Sequence, residues 1–381
     1  MKKPGTPAGG THDQFSLKDK FQGTRLRGKS TLSNFITYGM VILIFVVIQA
    51  IQSTGGLTSS LQGQLVPICA YIVMAISLNL TVGVLGELSL GHAGFMSLGA
   101  FTGVIVSVSL QNPIAMGPVR LGLAMLAGGL IAGLAGFVVG VPALRLRGDY
   151  LAIVTLAFGE IIKNVINLLY VGVDRSGLHV SITDTASLGL AEGGTLILRG
   201  PMGAVGVAKL STFAAGFILI LIALFVVLNL IKSRSGRAIM AIRDNRIAAE
   251  SLGISITRYK MMAFMTSAAL AGMAGALYAL NYSTVVARKF DFNTSILVLV
   301  FVVLGGMGNI RGSIIAATVL TVLPELLRQF NDYRMLVYAM VLILVMLVTN
   351  NEQIKQFFKM ILDFFRHRLT ADTGRGGATH E

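Results

Sequence analysis

The stretch that decides the fold is Phe213 to Ile231, FAAGFILILIALFVVLNLI, which carries no charged residue. A helix needs about 20 such residues to cross the hydrocarbon layer of a bilayer. In lipid the helix is favoured because it satisfies its own backbone donors and acceptors. Phe35 to Ile51, FITYGMVILIFVVIQAI, reads the same way. Apolar runs recur near 35–51, 67–85, 88–110, 121–142, 150–171, 212–231, 261–281, 293–305, 313–327 and 335–350. The expectation is an all-α, polytopic helical membrane protein with about ten transmembrane segments. Those near 88–110 and 293–327 are rich in glycine, and broken or partial helices are expected there.

Composition agrees. The chain is 54% hydrophobic and 13% charged, with a mean hydropathy of +0.76. A soluble domain carries about 25% charged residues, so this one has too little polar surface to face water. There are 44 glycines among 381 residues, where ordinary usage gives about 27. Small residues let membrane helices approach closely, and Gly129, Gly133, Gly136 and Gly140 have the spacing for that role. The single cysteine, Cys69, lies in an apolar run and reads as packing.

The net charge of +14 does not point to nucleic acid, because the basic residues gather between and beside the apolar runs. Residues 1–34 hold seven basic residues against two acidic ones and read as a flexible basic tail. No cleavable signal peptide is apparent ahead of the first apolar run. Loop 232–260 holds seven more basic residues against Asp244 and Glu250, and the short loop near 143–149 carries Arg145 and Arg147. Loop 172–211 is balanced. Ten spans with both termini inside place the tail, 143–149 and 232–260 in the cytoplasm and 172–211 outside. The transmembrane domain is then 35–350, followed by a cytoplasmic C-terminal tail, 351–381.

Gly23 to Ser30, GTRLRGKS, matches the phosphate-cradling pattern G-x-x-x-x-G-K-[ST]. A working P-loop joins a buried strand to a helix. Upstream of Gly23 stands the charged SLKDKFQ, and a spanning helix follows within a few residues, which leaves no room for a nucleotide-binding domain. Its basic residues suit an anionic lipid surface instead. The chain is read as having no ATPase domain of its own.

Loop 232–260, KSRSGRAIMAIRDNRIAAESLGISITRYK, suits a short amphipathic helix near 237–252 that stops at Gly253. From periodicity alone, such a helix either lies on the membrane or docks in a groove of a soluble partner. Ala248-Ala249-Glu250-Ser251-Leu252-Gly253 resembles the coupling motif of ABC-importer permeases. Glu87 to Phe101 (ELSLGHAGFMSLGAF), Pro142 to Lys163 (PALRLRGDYLAIVTLAFGEIIK) and Leu304 to Ala317 (LGGMGNIRGSIIAA) resemble the branched-chain amino acid permease family, LivM type. With AIRDNRIAAESLGI, the four motifs stand in the family's order over most of 67–330.

The resemblance implies one subunit of a bacterial inner-membrane importer. Its partners would be a second, related permease, two cytoplasmic ATPases that bind ATP and magnesium, and an extracytoplasmic binding protein delivering leucine, isoleucine or valine. This chain would need no cofactor of its own. Arg243, Asp244, Ala249, Glu250 and Gly253 would form the ATPase interface. The chain departs from the family's Gly-Gly-Pro run at Val171 to Ser181, VGVDRSGLHVS, so urea or another amino acid stays open as substrate.

Within the spans, Glu160 falls about 16 Å beyond Asp149 along a helix. Lys163, Asn164 and Asn167 follow at i+3, i+4 and i+7, on the same face. Charge at that depth costs roughly 2.5–3.5 kcal/mol, so this face should meet protein or water. It suits the translocation path or the seam with the second permease; the plainer reading is a Glu160–Lys163 pair that holds helices together. Glu87 and Ser89 are further path candidates. His92, with no neighbouring His or Cys, reads as a packed, hydrogen-bonded residue rather than a metal ligand. An ion-coupled secondary transporter stays as the weaker alternative, since the spans lack a series of Asp, Glu or His; an enzyme would need a nucleophile–base constellation, which is not visible.

Overall fold

The protein is described by a computed structural model covering residues 23–327, apart from 57, 112, 147, 175, 176 and 191–193, with a few positions between 333 and 343. It divides after Thr54 into two units. The first contributes helix α1 (Gly23–Ser53), whose Phe35–Ser53 portion is long and apolar enough to cross a membrane. The stretch Gly23 to Ser30 lies in α1 and is helix rather than loop.

The second unit is built around α2 (Ser59–Asn79), which continues as a π-helical turn, Leu80–Leu85. Along this span 94% of the apolar window is buried, against 28% for α5 (Asp149–Leu168) and 33% for α6 (Phe213–Lys232). Against it pack α6, α9 (Ile256–Ala279), α10 (Phe292–Gly305) and α11 (Ile310–Leu326), while α3 (His92–Ser109) and α4 (Gly117–Ala143) pack on α9 and on each other. The faces of α4 and α6 turned away from this core expose Leu126, Leu130, Leu134, Ile218 and Phe225. Contiguous apolar surface of that kind is what lipid requires and water penalises.

Glycine sets how close α3, α4 and α9 come. A Cβ at Gly99 would lie 2.1 Å from the Gly272 carbonyl oxygen, and one at Gly275 would lie 1.9 Å from that of Met96. Gly129, Gly133, Gly136 and Gly140 all face α9, opposite Met273, Ala269, Ala268 and Met261. The glycine surplus is therefore contact surface, because no side chain fits where backbones touch.

Seven helices among the described residues are long and apolar enough to span, where about ten segments are expected. The difference is local. Helices α10 and α11 have only 14 and 17 residues, and at 1.5 Å per residue a 14-residue helix reaches about 21 Å of a core roughly 30 Å thick. The segment at 335–350 lies largely outside the described residues, as do 1–22 and the C-terminal tail. The glycine-rich segment near 88–110, by contrast, forms one unbroken helix, α3.

The all-α expectation is corrected by an antiparallel five-stranded sheet. Its strands are β1 (Tyr170–Asp174), β2 (Gly177–Ser181), β3 (Thr195–Arg199), β4 (Ala204–Val205) and β5 (Thr284–Val285), in the order β2-β1-β3-β4-β5. Val171 to Ser181 is the β1–β2 hairpin, closed where Asp174 Oδ1 accepts the Gly177 N–H at 3.1 Å. The alternating Val171 and Val173 carried that signal.

Candidate functional site

At the far end of α6 from the sheet, Ser233 caps α7 (Arg234–Asp244) through a 3.0 Å bond from the Gly236 N–H. Asn245 then breaks the chain, with φ −154° and ψ 103°, and its Oδ1 caps α8 (Arg246–Ser251) by accepting the Ala248 N–H at 3.0 Å. The single helix expected over 237–252 is thus two, because asparagine serves a helix start better than a helix interior. Gly253 ends α8 with φ +76°, and the Gly253 and Ile254 N–H groups close back on the Glu250 and Ala249 carbonyls at 2.9 and 3.1 Å. This is a left-handed helix stop that a side chain would strain.

Ile242, Ala249 and Ile256 form a small core joining α7, α8 and the start of α9, with Ala241, Ile254 and Tyr259 around it. Ala249 therefore faces inward, and its smallness lets α8 sit down on α9. Ile247 and Leu252 are each 81% exposed, with Glu250 and Asp244 exposed beside them. Two large apolar side chains flanking an acid on a fixed base make a surface shaped to bury against something.

Arg243 points elsewhere. Its Nη1 donates to the Gly83 carbonyl at 2.9 Å, in the π-helical turn of α2, while Nε and Nη2 donate to Asp244 Oδ1 at 3.2 and 3.1 Å. Its stem lies against Gly86 (φ +80°), where a Cβ would come within 2.6 Å of Arg243 Cγ.

Lys260, which the charge pattern assigns to the loop, sits one turn inside α9 and is buried against Glu87. The side chains of this ion pair are 5% and 14% exposed. Ser89 is buried, and its Oγ has no hydrogen-bond partner among the described residues. His92 is buried with its Nε2 2.7 Å from Ser77 Oγ, as a packed histidine should be.

Sequence reasoning missed Asn79. Its Oδ1 accepts the Gly308 N–H and its Nδ2 donates to Ser313 Oγ, both at 2.8 Å, tying α2 to the turn between α10 and α11. A lone asparagine in an apolar run signals a buried bond only once its neighbours are known.

Glu160 and Lys163 form an ion pair within α5. The buried face of α5 is Leu151, Ala152, Thr155, Gly159 and Ile166; Gly159 backs onto Gly91. The four polar residues lie elsewhere on the helix, with Asn164 exposed, Asn167 half-buried and the apolar Ile161, Val165 and Leu168 exposed among them. Among the described residues the pair joins no second helix, and Glu160 does not meet Glu87, Ser89 or His92 in one cluster.

The family described as "Branched-chain amino acid transport system / permease component" matches residues 60–346. The chain belongs to this permease family. Over 287 residues it is 38% identical to the high-affinity branched-chain amino acid transport system permease protein LivM of Salmonella typhimurium, covering 73% of this chain and 66% of that protein. The Escherichia coli LivM matches to the same extent. LivH, a permease protein of the branched-chain system in Salmonella typhimurium, is 34% identical over 118 residues, or 30% of this chain and 38% of LivH. The matched stretch thus spans just under two thirds of the LivM relatives. No solved structure matches the chain. The matched residues take in α2 through α11, and with them both the buried pair and the α7–α8 surface.

Proposed function

We propose that this chain is a transmembrane permease subunit of an ABC importer for branched-chain amino acids. The observation that carries the reading is the α7–α8 element, which presents Ile247, Glu250 and Leu252 from a small rigid core on a membrane-spanning bundle of this family. A docking helix needs apolar anchors and an immobile base, and both are present. The groove it enters would belong to a separate ATPase subunit holding ATP and magnesium, two of them per transporter. A second, LivH-like permease would complete the path, and the open α5 face with Glu160, Lys163, Asn164 and Asn167 suits that seam. An extracytoplasmic binding protein would deliver leucine, isoleucine or valine on the side of the sheet. The termini and α7–α8 are then cytoplasmic, in a bacterial inner membrane, and the chain has no ATPase domain of its own.

Uptake of labelled leucine in cells lacking this gene tests the reading. Uptake should fall, return with the intact gene and not return with Gly253→Pro, which cannot adopt φ +76°. Unchanged uptake on deletion, where no other leucine carrier exists, would contradict the substrate assignment.

A further inference from the structure

Residues 79–87, the end of α2 and the turn after it, are held from three directions. Asn79 is bonded to Gly308 and Ser313, at the turn between α10 and α11. Glu87 is paired with Lys260 of α9. Between them, the Gly83 carbonyl accepts from Arg243 of α7. Gly83 is also the point of closest approach, since a Cβ there would fall 1.9 Å from Asn79 Oδ1 and 2.2 Å from the Gly308 nitrogen. Any displacement of Arg243 along its bond therefore meets Gly83, and behind Gly83 the α10–α11 turn.

The backbone at this place is unusual as well. Leu80–Leu85 is a π-helical turn ended by a left-handed Gly86. Such turns hold one residue more than an α-helical turn, are rare, and occur mostly at functional positions. Relaxing one to α-helix moves every later residue around the axis and would carry Glu87 with it.

The guanidinium of Arg243 is already committed. Three of its nitrogens bond to Gly83 and Asp244, while the exposed anchors Ile247 and Leu252 lie in α8 and at its C-terminal end. We propose that Arg243 is a positioning residue that transmits movement of α7–α8 into the π-helical end of α2, and that it is not a contact for the partner docked on α8. This deepens the importer reading and rests on it. Docking and transmission are then separate jobs: Ile247, Glu250 and Leu252 hold the partner, and Arg243 carries the displacement to the bundle.

The test uses the full transporter assembly, purified with its partner subunits, carrying wild type, Arg243→Gln, Arg243→Lys or Leu252→Asp. Hydrogen exchange of the segment 80–91 is followed by mass spectrometry with and without a non-hydrolysable ATP analogue. The analogue should alter exchange of that segment in wild type and leave it unaltered in Arg243→Gln. That variant should still co-purify with the ATPase subunits and hydrolyse ATP, with the ATP consumed per leucine carried rising about tenfold, a coupling loss within the usual range. Arg243→Lys, which keeps one donor, should fall between. Leu252→Asp should lose the ATPase subunits instead. Co-purification lost in Arg243→Gln, or a response of 80–91 equal to wild type, would overturn the proposal. A wrong substrate assignment would show separately, as absent leucine uptake by wild type, without touching the exchange result.

Discussion

Two Glu–Lys pairs in this protein have the same chemistry and opposite settings. Glu160–Lys163 lies three residues apart on α5, with the glutamate 37% and the lysine 16% exposed at the side chain. Glu87–Lys260 joins residues 173 positions apart, 14% and 5% exposed, and bridges the α2–α3 turn to α9. The first costs less to break within this chain, since one helix carries both partners and the glutamate stays open at the surface. The second has lost nearly all its solvent, so either partner alone would be a charge held in an apolar interior. A Glu–Lys pair is thus no measure of its own importance; burial decides it. The same contrast separates a pair within one helix from a brace between distant elements.

The largest effect is expected from Lys260→Met, which strands Glu87. Breaking a buried pair costs about 3–5 kcal/mol, and the yield of monodisperse, folded permease in detergent should collapse. Adding Glu87→Gln should recover much of it, because an apolar and a neutral group tolerate the site better than one stranded charge. Single variants as heat-stable as wild type would remove the distinction between the pairs.

Asn79→Leu comes next. It removes the side chain that accepts from the Gly308 N–H and donates to Ser313 Oγ, which keeps its bond to the Asn309 carbonyl; each lost bond is worth about 0.5–1.5 kcal/mol. The thermal midpoint should fall clearly, though less than for Lys260→Met. No change would mean that α2 is not tied to the α10–α11 turn in this way.

Gly253→Ala probes the docking side. A left-handed conformation costs a side-chain-bearing residue about 1–2 kcal/mol, confined here to the end of α8. Binding of the ATPase subunits should weaken several-fold while the heat stability of the permease changes little. An equal loss in both would mean that the α8 stop supports the bundle as a whole.

The smallest stability change is expected from Glu160→Gln. The pair lies within one helix and braces no second helix among the described residues, so the thermal midpoint should barely move. Association with the second permease, measured by co-purification, should drop if the open face of α5 is the seam. A large stability loss with association intact would place the stripe inside the fold after all.

The contrast between the pairs also marks what the sequence could disclose. Spans appear in it because lipid demands long uncharged runs, so seven helices, the basic loop between α6 and α9 and the Gly253 stop can all be read in line. Four motifs in order were enough to suggest the family. The spacing of Glu160, Lys163, Asn164 and Asn167 gives their shared face, since the helix repeat is local. It does not say whether that face looks inward. The partners of Glu87, Asn79 and Arg243 lie 173, 229 and 160 positions away, and nothing local encodes such meetings. Lys260 reads as loop for that reason, and the bond from Arg243 to the Gly83 carbonyl stays out of sight. The sheet escaped notice because its strands have two to five residues, short beside the spans that surround them.

The central claim is that this bundle carries a branched-chain amino acid on energy supplied by separate ATPases docked on α7–α8. The most direct test is accumulation of labelled leucine in proteoliposomes holding the purified assembly, with binding protein on one side and ATP on the α7–α8 side. Accumulation that requires ATP, persists when ion gradients are collapsed and disappears with Leu252→Asp is the predicted result. Accumulation driven by an ion gradient without ATP, or none when ATP and binding protein are both supplied, would contradict it.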